Sequence, residues 1–495
     1  MEWTTEKRYK KYSEWTAEEL LDLQAQATKS DYQLSYHVRP QSGLLNDPNG
    51  FSYFNGEYNL FYQAFPFGAA HGLKSWFHLT SKDLVHWKNM GLAVKPDTKF
   101  DSHGAYSGSA HVIDDELFLM YTGNHRDENW ERHTYQIGAK MDKNYNITKL
   151  EKPMIEKPDH VTEHFRDPQL IKFNDMYYAI IGAQDAKTKT GKISLFRSKD
   201  LEKWQDLGYV DFSNDDMGYM IECPNLVFVD DIPVLIFCPQ GLDKNITNYQ
   251  NIYPNMYMLG EQMRFNKAKF ITDQEKPLNL DDGFDVYATQ AFNAPDGKAY
   301  AISWVGLPDI SYPTDTENWA NCMSQVKELH VKDGVLYQQP VPAMASLRKN
   351  GTPIRVEKTL DTHQTLMQDA SQNYELKLDI EANQEGELYF AANNNLSAGI
   401  KISFSTKDDA YLTVDRSQAG IAFDQEHGET RTIKLDANQR LALDLFVDHS
   451  LAELFINNGK NTMTFRYFSP KENTKIAIVS DDELNFTGTH WIMEK

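Results

Sequence analysis

Five stretches of the chain share one layout: a polar or acidic start, an apolar run, a turn of Asn, Asp or Gly, and a second apolar run. They are DPNGFSYFNGEYNLFYQ from Asp47, SGSAHVIDDELFLMY from Ser107, DPQLIKFNDMYYAII from Asp167, ECPNLVFVDDIPVLIF from Glu222 and YATQAFNAPDGKAYAISW from Tyr287. Their starts differ by 60, 60, 55 and 65 residues. Asn55-Gly56, Asp114-Asp115, Asn174-Asp175, Asp230-Asp231 and Asp296-Gly297 stand at matching offsets. Asn, Asp and Gly accept the positive φ that tight hairpin loops demand, so each stretch predicts a strand–turn–strand hairpin. SKDLVHW from Ser81 returns as SKDLEKW from Ser198, 117 residues on, or two repeats. Radial repetition of β-units predicts a five-bladed β-propeller over residues 34–345. A β-sandwich with accidental internal similarity is the competing fold, but sandwiches rarely keep a long fixed period.

The flanks differ in texture. Thr16 with Glu19 three residues on is a capping box ahead of LLDLQAQA, which places a helix in an N-terminal extension of residues 1–33. Beyond PVPAMASLRKNGTP, closely spaced alternating segments such as GELYFAA, GIKISFS, AYLTVDR and LALDLFVDHS predict a β-sandwich over 346–495, packed on the propeller's flank. The fold class is therefore all-β, with one short N-terminal helix. Acidic residues outnumber basic ones 71 to 50, a formal charge of −21, which repels phosphate backbones and anionic lipid and excludes nucleic acid or membrane as main partner. Three cysteines, Cys223, Cys238 and Cys322, form neither a disulfide framework nor a zinc spacing. The opening MEWTTEKRYKKYSEW has no apolar h-region and no run of 18 apolar residues occurs, so a cytoplasmic protein is expected.

In a propeller the innermost strands line one channel. The repeat offset then gathers Asp47, Ser107, Asp167, Glu222 and Tyr287 into one ring. Three carboxylates brought together repel, which costs stability unless they serve a purpose. A metal site with hard oxygen ligands is one purpose, and a glycosidase pair of nucleophile and proton donor is the other. The neighbours favour the glycosidase: Asn46, Asn49, Gln63, Ser107 and Arg166 bond hydroxyls, while Trp76, Tyr106, Tyr287 and Trp304 offer faces for stacking. The histidines at 78, 86, 103, 111 and 164 lack HExxH spacing, and no Walker, dinucleotide or GxSxG motif is present. Cys223 lacks a basic activator and reads as a small buried neighbour that keeps Glu222 apolar and raises its carboxyl pKa.

GLLNDPNG from Gly43, FRDPQL from Phe165 and IECPNL from Ile221 resemble the three signature motifs of glycoside hydrolase family 32, the invertases and fructosidases. FYQ at Phe61, YSGSA at Tyr106, DVYATQ at Asp285, SWVGLP at Ser303 and the ending FVDHSLAELFINNGKNTMTFRYF support it. The resemblance implies Asp47 as nucleophile on the anomeric C2 of a β-D-fructofuranosyl unit, Glu222 as acid/base and Asp167 as transition-state stabiliser, with retention of configuration. It further implies substrate contacts from Leu45, Asn46, Gln63, Trp76, Tyr106, Ser107, Arg166, Tyr287 and Trp304, and neither metal nor cofactor. RYKKYSEWTAEELLDL, FPFGAAHGLKSWFHLTSKDLVHW and YPTD at Tyr312 resemble the family's intracellular bacterial branch that cleaves sucrose 6-phosphate. His71, Lys74, His125 and Arg126 are the candidate phosphate patch. Ala64 replaces a bulkier residue after FYQ and implies a wider leaving-group side, while Lys327 in QVKEL replaces an arginine and implies altered affinity if it touches substrate. The expected substrates are sucrose 6-phosphate and sucrose. Short fructo-oligosaccharides are the alternative, a non-catalytic sugar-binding propeller a remote one, and inverting propeller hydrolases of arabinose or xylose are disfavoured by the NDPNG and ECPN contexts.

Overall fold

A computed structural model describes residues 3–356 and 363–495. Met1 and Glu2 of the expected N-terminal extension, and residues 357–362 of the expected sandwich, lie outside the described residues. The architecture is nearly all-β, and no helix among the described residues is long and apolar enough to cross a membrane.

Five mainly antiparallel sheets follow one another between Gly43 and Pro340, with a two-stranded ribbon of Gln262–Arg264 and Lys269–Ile271 besides, and each of the five opens with a long hairpin. The first strands are Gly43–Phe54, Ala105–Ile113, Val161–Phe173, Met220–Val229 and Val286–Asn293. The expected turns fall where the Asn, Asp and Gly residues stand, with Asn55, Asp114, Asn174 and Asp230 all at positive φ; the fifth hairpin has a longer loop with Gly297 at φ 84. The SKDL echo is structural as well. In both copies the serine hydroxyl accepts two backbone N–H groups, the aspartate accepts two more, and the leucine turns left-handed, Leu84 at φ 69 and Leu201 at φ 66.

The first strands of different sheets have no common ladder, so side chains bridge them. Asn49 accepts from Gly108 N (3.0 Å), Ser109 from Leu170 N (2.8 Å) and Gln169 from Leu226 N (2.7 Å). Asn225 accepts from Ala291 N (3.3 Å), and Gln290 accepts from Phe51 N (2.8 Å). These seams run from each sheet to the next and from the fifth to the first. Trp319–Ala320, which follows the fifth hairpin, also pairs in parallel with Gly43–Leu44.

After residue 347 two six-stranded antiparallel sheets enclose an apolar core that includes Leu376, Leu388, Ile402, Leu445, Leu454, Phe465 and Ile478. A buried charged seam joins this unit to the five sheets. His37 Nδ1 meets Asp448 at 2.9 Å and Nε2 meets Glu453 at 2.8 Å, while Lys327 lies 3.4 Å from Glu453 and 3.8 Å from Asp281. Lys327 is thus an inter-unit ion pair, away from any substrate pocket. Before the first sheet, Thr5–Arg8, Tyr12–Glu14 and Ala17–Ala27 are helical, the last with the expected Thr16/Glu19 capping box. Tyr12 OH donates to Leu73 O (2.8 Å) and Ser75 Oγ (2.9 Å), and Arg8 O accepts from Leu73 N (2.8 Å), so the helical segment clips the chain around residues 72–75.

Burial disfavours charge on His37, but Asp448 and Glu453 together outweigh it and raise its pKa above 6.5. Burial likewise works against Asp448 and Glu453, yet their cationic and N–H partners hold both carboxyls low. His37 therefore contributes fully below pH 6.5 and is lost as pH rises through its raised pKa. The two carboxylates contribute above about pH 4 and are lost on acidification. His37→Ala is expected to cost about 3–5 kcal/mol by leaving two buried carboxylates unpaired, read as a lower denaturation midpoint at pH 6 and a smaller loss at pH 9.

Candidate active site

In every first strand the register with its hairpin partner slips by one residue, between Leu45 and Pro48, Ala105 and Gly108, Arg166 and Gln169, Glu222 and Asn225, and Tyr287 and Gln290. Such a bulge breaks the alternation of faces, so neighbouring side chains can enter one space. The expected single ring needs correcting here. Counted from the bulge, Asp47 and Ser107 take the second inserted place, Asp167 the first, and Glu222 and Tyr287 the position just before. The three carboxylates meet because of the bulges, not through one shared offset. Asp167 (φ 67), Cys223 (φ 48) and Ala288 (φ 50), the first inserted residues of the last three sheets, are all left-handed.

The space they enter is a cavity of about 340 Å³ lined by Asn46, Asp47, Gln63, Tyr106, Arg166, Asp167, Glu222, Tyr287 and Trp304 among others. Asp47 accepts from the Ser107 hydroxyl on one oxygen and from Asn46 Nδ2 (3.1 Å) on the other. Gln63 spans behind them, accepting from Asn46 Nδ2 and donating to Ser107 Oγ, both at 2.7 Å. Asp167 accepts from Cys223 N at 3.0 Å. Arg166 gives Glu222 Oε1 two bonds, Nε at 3.0 Å and Nη2 at 2.7 Å, and Tyr287 OH donates to Oε2 at 2.6 Å. Glu222 therefore has polar partners rather than the expected apolar setting. Cys223 turns its thiol to the other two acids, 3.6 Å from both Asp47 Oδ2 and Asp167 Oδ2.

Burial is the main cause that raises Asp167 to about 7, and repulsion from Glu222 and Asp47 adds to it against the pull of Arg166. Burial also raises Asp47, opposed by its Ser107 and Asn46 bonds. Burial pushes the Cys223 thiol well up. Asp47, Asp167 and Cys223 offer atoms within 4.8 Å of one another, but metal ligation needs deprotonated ligands, and burial pushes the Cys223 thiol and the Asp167 carboxyl up, which does not fit a metal shell. A larger groove, about 950 Å³, lies where Pro342–Leu347 passes the second unit, but its Arg348, Lys377 and Asp444 are held in ion pairs, the first two on the buried Glu375 and Asp444 on Lys377.

Leu45 and Trp76 lie behind the cavity wall rather than on it. Leu45 is fully buried in the core, and Trp76 packs on Phe61 and Tyr121 while its indole N–H donates to Tyr106 O at 2.9 Å. Ala64 is buried in the same core as Leu45 and gives the cavity no extra width. The candidate phosphate patch divides: His71 and Lys74 line the cavity, whereas His125 and Arg126 belong to the second sheet's hairpin. Lys74 donates to Asn46 Oδ1, and burial brings its ammonium down to about 7. Tyr9, Arg132, Gln240 and Asp309 also line the cavity. No motif marked them, because a lone residue outside the repeat carries no positional signal.

Paired acids in a small pocket with hydroxyl-bonding amides and aromatic walls define a glycoside hydrolase. The glycosyl hydrolases family 32 N-terminal domain matches residues 37–340, and that family's C-terminal domain matches residues 343–491. The chain belongs to glycosyl hydrolases family 32. It is 47% identical over 492 residues to a sucrose-6-phosphate hydrolase of Pediococcus pentosaceus, covering 99% of this chain and 96% of the relative. It is 48% identical to one of Streptococcus mutans, covering 96% of each. The solved sucrose-6-phosphate hydrolase of Lactobacillus gasseri superposes with a TM-score of 0.97 at 58% identity, covering 100% of this chain and 99% of that one. A Bombyx mori family 32 β-fructofuranosidase mutant in complex with sucrose superposes with a TM-score of 0.83 at 28% identity, covering 97% of each.

Asp167 keeps in the folded state a proton that the unfolded chain releases near pH 3.8, so its contribution to stability is lost progressively as pH rises from about 4 and the loss is complete above about 7. Asp167→Asn is expected to raise the thermal midpoint most at pH 8, less at pH 5 and least at pH 3.5, as calorimetry at the three pH values would read.

Proposed function

We propose that this chain is a retaining β-fructofuranosidase that hydrolyses sucrose 6-phosphate and sucrose inside the cell. The carrying observation is the three-carboxylate cavity in which Asp47 is oriented by Ser107 and Asn46 while Glu222 is gripped by Arg166 and Tyr287. The names of the relatives, at nearly half identity over nearly the whole length, support the substrate.

Asp47 attacks the anomeric C2, and the bond from C2 to the glucosyl oxygen breaks with its electron pair passing to that oxygen. Glu222 protonates the departing oxygen. Water then loses a proton to Glu222, attacks C2 and frees Asp47 with net retention. Asp167 holds fructosyl hydroxyls as positive charge develops on the ring.

The scaffold in this reading is a five-bladed β-propeller over residues 34–345, supported by the seams that return from the fifth sheet to the first. Residues 346–495 are a buttressing β-sandwich, tied on through the His37 and Lys327 seam, and residues 1–33 form the helical extension.

The test compares kcat/KM for sucrose 6-phosphate, sucrose and kestose. Glu222→Gln is expected to lose about 10²–10⁴ in kcat and to accumulate a fructosyl ester on Asp47, visible by mass spectrometry. Turnover within tenfold of wild type would remove Glu222 from the acid/base role. Wild-type preference for kestose would move the substrate to fructo-oligosaccharides.

A further inference from the structure

The second and third strands of the second sheet, Glu116–Arg126 and Arg132–Met141, end in two cross-strand pairs of like residues, the outer one two arginines. Arg126 stands directly opposite Arg132, and His125 directly opposite His133. Like charges in that relation are destabilising, and this chain carries a net charge of −21, with 71 acidic residues on hand to answer them. Among the described residues the two arginines go largely unanswered, Glu163 acting on Arg132 only through space. Asp127 pairs with His133 Nε2 at 2.9 Å and caps its own turn. Arg126 spends Nη1 on the Trp130 carbonyl at 3.0 Å. The Nε atoms of both arginines are buried with no hydrogen-bond partner. Two guanidinium groups side by side with unmet buried donors are the complement of a multi-oxygen anion.

Position gives the anion its context. Arg132 lines the catalytic cavity, within electrostatic range of Arg166, the residue that grips the proposed acid Glu222. The leaving group departs on the side of that acid, so a group carried by the leaving sugar reaches Arg132 before the bulk solvent. Tyr9 of the helical extension closes the opposite side, its ring packed against His103 (5.5 Å) and Trp130 (5.3 Å). Of the other cations in the cavity, Lys74 is already committed to Asn46 and Arg166 to Glu222.

We propose that Arg126 and Arg132, with Tyr9 facing them, form the subsite for the phosphate of a phosphorylated leaving sugar. The inference rests on the sucrose 6-phosphate reading above and names the residues that would impose it. Planar guanidinium donors suit phosphate oxygens better than an ammonium does, so the lysine variant separates geometry from charge.

The experiment measures kcat/KM for sucrose 6-phosphate and for sucrose in the wild type, Arg132→Ala, Arg126→Ala, the double alanine variant and Arg132→Lys. Thermal midpoints are taken with and without inorganic phosphate. The ratio of the two kcat/KM values is expected to fall by about tenfold or more in each alanine variant, through KM, and to recover in part in Arg132→Lys. Phosphate is expected to raise the wild-type midpoint and inhibit competitively, and to do neither in the double variant. The midpoint without phosphate should not drop in Arg132→Ala, since a repulsion has been relieved. A wild-type preference for sucrose 6-phosphate that persists in the double variant overturns the subsite and leaves the substrate reading standing. A wild type with no such preference overturns the substrate reading itself.

Discussion

Strands of separate sheets placed side by side cannot complete one another's ladders, and buried backbone groups left unpaired are costly. Asn49, Ser109, Gln169, Asn225 and Gln290 meet that constraint by reaching from one first strand to the next. Each stands one or two places beyond its strand's bulge. The same short stretch of each strand thus holds the sheets together and presents a residue to the cavity. Positioning of the acids is therefore inherited from the packing of the body, not from loops.

Inside the cavity the arrangement works against stability and toward chemistry. Burial and mutual repulsion push Asp47 and Asp167 up, and one guanidinium, Arg166, faces the third acid. Hydrogen bonds from Ser107, Asn46, Tyr287 and the Cys223 backbone compensate each carboxylate separately. The buried seam at the other side of the body differs in kind, because there His37 and Lys327 match Asp448, Glu453 and Asp281 closely enough for the ions to bind the two units together.

The sequence shows the hairpins plainly, since a turn that needs positive φ announces itself as Asn, Asp or Gly, as at Asn55-Gly56 and Asp230-Asp231. The capping box at Thr16 is legible for the same local reason. The bulges are not, because an inserted residue changes which face a side chain takes without changing composition, and a count along the chain slides past it. That is why Asp47, Asp167 and Glu222 align in sequence yet occupy three different places around the bulge. Trp76 shows the complementary limit: an aromatic on a strand serves the core or the cavity according to its face alone. Arg132 is invisible because its significance lies in its cross-strand partner Arg126 and an unmet donor, which only pairing register reveals.

The recurring bulge sets which kinds of genetic change this scaffold can absorb. Exchanging the residue at an inserted place, such as Asn46 or Tyr106, alters what the cavity offers while every hairpin keeps its register. Deleting one residue there would turn the remainder of the strand over, sending seam amides to the wrong face and core side chains toward water. Descendants of such a chain can diversify in chemistry through substitution, but the length of these five short stretches is closed to drift.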